Sequence, residues 1–200
     1  MTLCGIEIAV EPLDRSAEEY AVGLSRHELA FADGLTDGRR REWLAWRWLL
    51  RSKAEAWGLS SDQLKVEYTR FGEPVFADMH GHLSVSHCRC YVALAYVCEG
   101  RCGIDVEMTD RPFGKVRRRY LSADEMALTG AEHPLFMAAA WCAKEALYKC
   151  LGRSGVDFVA DMRIAAVDLE SGAIAVEAFG RAYDVAVTRL DGAVMAVTHD

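Results

Sequence analysis

Hydrophobic positions along the chain follow two periods. Ile6, Ile8 and Val10 alternate with Glu7 and Glu11, which predicts a strand with one buried face. Across 38–57 no proline or glycine interrupts the run after its first residue, and Leu44, Trp46, Trp48, Leu50 and Trp57 recur at helical spacing. Asp37 is placed to cap that helix and Gly58 to end it. Residues 75–76 and 83–97 read as strands, the second long and rich in Val, Leu and Tyr, and 103–107 as another short one. Pro134 opens a second helix at its first turn. It runs through WCAKEALYKCL to Gly152, about 27 Å at 1.5 Å per residue. Four strand-like runs follow. The first two meet at Ser171-Gly172 and the last two at Asp191-Gly192, both favourable hairpin turns.

This order predicts an α+β protein of two similar halves, 1–102 and 103–200, packed as a pseudo-dimer. Each half has one long helix and about three antiparallel strands. The core strands YVALA (91–95) and AVMAV (193–197) echo one another.

Composition narrows the classes. Of 200 residues 52% are hydrophobic and 26% charged, with a net charge of -7, an ordinary globular balance. The acidic surplus argues against a nucleic-acid partner, and any anionic ligand then needs a local basic cluster. No apolar run approaches the roughly 20 residues of a membrane span. The opening MTLCGIEIAVEPLDRS lacks the positive region of a secretory signal. The seven dispersed cysteines form no CxxC pair and read as reduced thiols. A cytoplasmic protein is expected.

Three strings carry candidate chemistry. In GIDVE, Asp105 and Glu107 lie two apart on a strand and share a face, and paired carboxylates suit a hard cation such as Mg²⁺. Taken alone, such a pair is ordinarily a solvated edge. In WCAKEALYK, Trp141, Glu145 and Lys149 share a helical face, with Lys144 on an adjacent one. By itself this is a surface ion pair. In SVSHCRC, Ser86 and His87 fall on opposite faces near the start of a strand, and a lone histidine is ordinarily a core residue. His80, His82, His87, Cys88 and Cys90 are also zinc-type ligands, but a structural zinc site draws a second half from elsewhere in the chain, and none is present.

Together the strings resemble the 4'-phosphopantetheinyl transferase superfamily. An SH pair precedes GxDxE by about 15 residues, and WxxKExxxK follows about 35 later. Length and order are similar to the monomeric, two-half Sfp-type branch. The resemblance includes the arginine-rich helix RRREWLAWRWLLR, the segment YTRFGEPVF and a final strand near the end of the sequence.

The resemblance implies a holo-[acyl-carrier-protein] synthase type of enzyme. A carrier-protein serine attacks the β-phosphate of coenzyme A and 3',5'-ADP leaves. It implies Asp105, Glu107 and Glu145 as Mg²⁺ ligands, and three acids at a pyrophosphate need such a cation because like charges oppose ionisation. Glu145 is also the candidate base, and the sequence leaves base and ligand open. Lys149 and Lys144 would act on the phosphates in catalysis and binding. Ser86 and His87 match the pair at the nucleotide end, and Arg47, helped by Arg40 or Arg41, the cation holding the 3'-phosphate. The first half would thus hold the nucleotide and the second the metal and catalytic residues. One departure stands out: Gly72-Glu73-Pro74 replaces the usual basic GKP or GRP, so Glu73 is left outside the site. The stretch 111–119, RPFGKVRRR, holds five basic residues and no acidic one, a docking face for an acidic apo acyl or peptidyl carrier protein or a solvated helix. Two alternatives stay open: a coenzyme A-binding module without transfer activity, and a Mg²⁺-dependent phosphohydrolase.

Overall fold

The computed structural model describes residues 2–3, 5–60 and 64–200. The fold is α+β and divides into two compact units, residues 1–98 and 99–200; the division falls after Cys98 rather than after residue 102. Among the described residues no helix is long and apolar enough to cross a membrane.

The first unit contains β1 (Thr2–Leu3), β2 (Ile6–Pro12), α1 (Ala17–Tyr20), α2 (Arg26–Asp33), α3 (Asp37–Ala54), β3 (Val66–Tyr68), β4 (Pro74–Phe76), β5 (His82–His87) and β6 (Tyr91–Val97). Its main sheet is antiparallel in the order β1-β2-β6-β5, and β3 and β4 form a separate pair. Helix α3 buries Trp43, Leu44, Ala45, Trp46, Leu49 and Leu50. Thr36, not Asp37, holds its N-cap position, without a side-chain cap bond, and Asp37 is the first helical residue. A 3₁₀ turn over Glu55–Trp57 extends α3 to Gly58, whose left-handed φ of 70° ends it. Helix α2 starts with a reciprocal capping box between Ser25 and Glu28.

The single strand expected over 83–97 is two. Fifteen extended residues would reach about 50 Å. Instead the chain reverses at 88–90, where the Cys88 amide donates to the Tyr91 carbonyl at 2.9 Å, and β5 pairs back on β6.

The second unit contains β7 (Cys102–Met108), α4 (Phe113–Val116), α5 (Ala123–Met126), α6 (Phe136–Leu151), β8 (Met162–Asp168), β9 (Ala173–Ala178), β10 (Arg181–Leu190) and β11 (Ala193–His199). The sheet is antiparallel in the order β7-β11-β10-β9-β8. The turns at Ser171-Gly172 and Asp191-Gly192 lie where the sequence puts them. Helix α6 lies on the sheet through a face of small residues, Ala139, Ala143 and Ala146 among them, all fully buried. The approach is closest at Gly103: a Cβ there would fall 1.8 Å from the Ala146 carbonyl oxygen. Only a glycine lets the helix backbone rest on β7.

Candidate active site

Strand β7 alternates Ile104 and Val106 with Asp105 and Glu107. Asp105 is buried and Glu107 half-buried. Because Gly103 lets α6 settle on this strand, the helix face carrying Glu145 and Lys149 meets the acidic pair. Lys149 Nζ donates to Asp105 Oδ1 at 2.8 Å and to the Ile104 carbonyl at 2.9 Å. Burial, then the charge of Asp105, pushes the Glu145 carboxyl up to about 7. Lys149 and Arg111 oppose that rise, and Glu107 adds to it. Glu107 is raised by burial and by Asp105, against the pull of Arg111 and Lys149. The three carboxylates therefore share one electrostatic neighbourhood, built where the two motifs cross. Cys142, buried beneath them, has its thiol held well above the usual range, first by burial and then by Asp105 and Glu107, so it stays protonated.

All three acids offer carboxylate oxygens, the donors hard divalent ions take. Their mutual repulsion at a half-buried Glu145 is what an added cation would relieve. The donor set fits Mg²⁺ in kind. Among the described residues, no three His, Cys, Asp or Glu side chains are gathered closely enough to clasp an ion as they stand. That holds equally for the histidines and cysteines between 80 and 90 that raised the question of zinc.

The structure does not bring Lys144 together with the three acids. Its side chain is fully buried and pairs with Glu125 at 2.6 Å. Nζ also donates to the carbonyls of Phe158 at 2.7 Å and Met162 at 2.9 Å. Lys144 is one residue, about 100° of helix, from Glu145, so it points away from the acids and ties α6 to the segment before β8. With its ammonium spent on three partners it reaches no phosphate. Glu125 is a residue that sequence reasoning missed. It accepts from the amides of Ser122 and Ile164 at 2.6 and 2.8 Å. The available signal was the capping-box string Ser122-x-x-Glu125.

Arg47 is likewise enclosed. It is 4% exposed. Its guanidinium lies 4.0 Å from the Trp43 ring centre and 4.5 Å from that of Trp46, and donates to Glu28 at 3.2 Å and the Val66 carbonyl at 3.4 Å. Burial lowers its pKa, opposed by Tyr68 and Glu28. Held this way, the guanidinium forms part of the wall of a cavity. Arg51 Nη2 also donates to both carboxylate oxygens of Glu28, at 2.8 and 2.7 Å. Beside these residues is a cavity of about 580 Å³, walled by Phe31, Trp43, Tyr68, Arg47, Arg51 and Glu28 among others. Neither Arg40, Ser86 nor His87 lines it. Arg40 pairs with Asp33 at 3.2 Å, and Arg41 donates to the carbonyls of Leu13 and Arg15. Ser86 is buried near the end of β5, and the exposed His87 beside it stands 3.5 Å from Glu42. Glu73 contacts His82 at 2.9 Å.

Compared with models of protein families, residues 101–198 match that of the 4'-phosphopantetheinyl transferase superfamily. The matched span begins just before β7 and ends within β11, so it contains Asp105, Glu107, Glu145 and Lys149. No curated protein matches the chain.

Proposed function

We propose, on the premise that this chain belongs to the 4'-phosphopantetheinyl transferase superfamily, that it transfers phosphopantetheine from coenzyme A to a serine of an apo acyl or peptidyl carrier protein. The observation that carries this reading is the meeting of Lys149 with Asp105 beside Glu145. Two motifs 38 residues apart in sequence, judged from Glu107 to Glu145, form one charged cluster on α6 and β7.

In the reaction the serine oxygen bonds to the phosphorus that carries pantetheine. The bridging P–O bond breaks, and its electron pair leaves with 3',5'-ADP. Glu145, poised near neutrality, takes the serine proton directly or through water. Lys149 places positive charge where the leaving phosphate gains negative charge. Asp105, Glu107 and Glu145 would hold Mg²⁺. When bound, that ion neutralises the phosphates as the anhydride opens. Two α+β units in one chain support the Sfp-type branch, acting as a monomer, and the six described cysteines, all free thiols, support a cytoplasmic site of action. Ser86, His87 and Arg40 are the candidate contacts for the nucleotide end of coenzyme A.

The test is incubation with coenzyme A, Mg²⁺ and a panel of apo carrier proteins, read as carrier mass gain. Asp105→Ala and Glu145→Ala should each remove nearly all transfer while keeping the wild-type circular dichroism, and because the residues act as a unit their losses should not add. Normal transfer by Asp105→Ala would overturn the reading. ADP release without a carrier would instead support the phosphohydrolase.

A further inference from the structure

Arg111 is placed where two kinds of contact meet. Its Nη1 donates to Glu107 Oε1. Its Cζ lies 5.1 Å from the ring centre of Trp141 and 5.5 Å from that of Phe113. Trp141 is one turn before Glu145 on α6, and the buried Phe113 opens α4. The rings of Trp141 and Phe113 are themselves 6.3 Å apart, and Tyr120 meets Trp141 edge-on at 5.2 Å. An aromatic platform of this kind attracts a guanidinium and restricts its motion. The arginine is thus anchored on one side and reaches the carboxylate through Nη1 on the other.

The other four basic residues of the 111–119 stretch line α4 and the following 3₁₀ turn, Arg117–Arg119, and all four are exposed. Arg111 alone among these five contacts an acid of the cluster. A carboxylate that serves an arginine fork has fewer lone pairs and less negative potential to give a metal ion.

We propose that Arg111 is a resident counter-charge that competes with the divalent cation for Glu107, and so sets the affinity of the site for that ion. The proposal rests on the reading of Asp105, Glu107 and Glu145 as a cation site. With no ion bound, Arg111 compensates the acids. When an ion binds, Glu107 must be given up, which weakens ion binding relative to a site without the arginine. A plain surface ion pair would have no such consequence.

Isothermal titration of the full chain with MgCl₂, without coenzyme A, tests this on binding alone. Arg111→Gln should tighten Mg²⁺ by about fivefold, the upper range for a partly exposed charge pair. Arg111→Lys, which keeps the charge but loses the fork, should fall between Arg111→Gln and wild type. Asp105→Ala should lose binding. If Arg111→Gln binds Mg²⁺ equally or more weakly while Asp105→Ala still loses it, the competition is wrong and the cation site stands. If wild type and Asp105→Ala are alike and neither binds, both readings fall. Should Arg111→Gln not fold, an Arg111→Lys affinity no tighter than wild type overturns the proposal.

Discussion

Substituting Lys144 by methionine keeps the volume of the side chain but leaves Glu125 charged in a site where its side chain is 1% exposed. The carboxylate would retain the Ser122 and Ile164 amides as donors and lose its counter-ion. Breaking a buried pair from one side costs about 3–5 kcal/mol. For a chain of this size each kcal/mol shifts Tm by about 2–4 °C, so Lys144→Met should lower it by about 6–20 °C. Adding Glu125→Gln removes the stranded charge and keeps one oxygen, which serves only one of the two amides, since Ser122 donates to Oε2 and Ile164 to Oε1. What remains is the loss of a donor to the Phe158 and Met162 carbonyls and of an acceptor for one amide, roughly 1.5–4.5 kcal/mol for three hydrogen bonds but with no unpaired charge left buried. The double variant should therefore be more stable than the single one. Thermal and urea unfolding followed by circular dichroism measures both. A single variant within about 1 kcal/mol of wild type, well below the range for a severed buried pair, refutes the assignment, as does a double variant no more stable than the single. Carrier modification supplies the functional half: a folded double variant that retains turnover places Lys144 in the framework, and one that is folded but inactive returns it to the chemistry.

Gly103→Ala puts a methyl group into the Ala146 carbonyl and should cost upwards of about 1–3 kcal/mol of overpacking; unfolding and carrier modification should both register it, and wild-type values for both would show that α6 does not rest on the strand there. Tyr120, its hydroxyl donating to the Met137 carbonyl at 3.1 Å, has a pKa raised by burial from 10.0 to about 12. Its proton therefore contributes stability fully present below about pH 10 and lost as pH rises through about 12, a loss that Tyr120→Phe should abolish in alkaline unfolding curves. Reversing the exposed Arg117 and Arg118 to Glu should raise KM for an acidic carrier several-fold, leave KM for coenzyme A nearly unchanged and flatten the salt dependence; unchanged carrier kinetics at low salt would place the docking face elsewhere.

The readings that survive are those whose information is local. Asp105 and Glu107 share a strand face because of a two-residue period, and Glu145 and Lys149 share a helix face because of a four-residue one; neither needs knowledge of the rest of the chain. The ends of both long helices were legible because Gly58 and Gly152 supply left-handed caps, with φ of 70° and 58°. What stayed hidden depends on a distant partner. Lys144 and Glu145 are neighbours in sequence, but a single helical step sends one to the acids and the other to Glu125, 19 residues earlier. Arg47 sits in an arginine-rich run that reads as phosphate-binding. The two tryptophans and the Glu28 that enclose it could be named from the sequence, but their meeting could not. The run 83–97 is apolar enough to be one strand, and only the need to bury it against a sheet turns it back on itself. Arg111 was legible as charge, and its hold on Glu107 was not.

The contact of Gly103 with Ala146 also bears on how the site responds to heat. In most layered folds a cushion of large side chains separates helix from sheet, and that cushion can loosen before the backbone moves. Here the helix main chain rests on the strand itself, and the residues around the contact, Ala143, Ala146, Ile104 and Cys150, are almost completely buried. There is no compliant layer between the strand that carries Asp105 and Glu107 and the helix that carries Glu145 and Lys149. The site has little room to drift while the unit stays folded, so its geometry should persist up to the unfolding transition and vanish with it, with no range of temperature in which an intact fold carries a slack site.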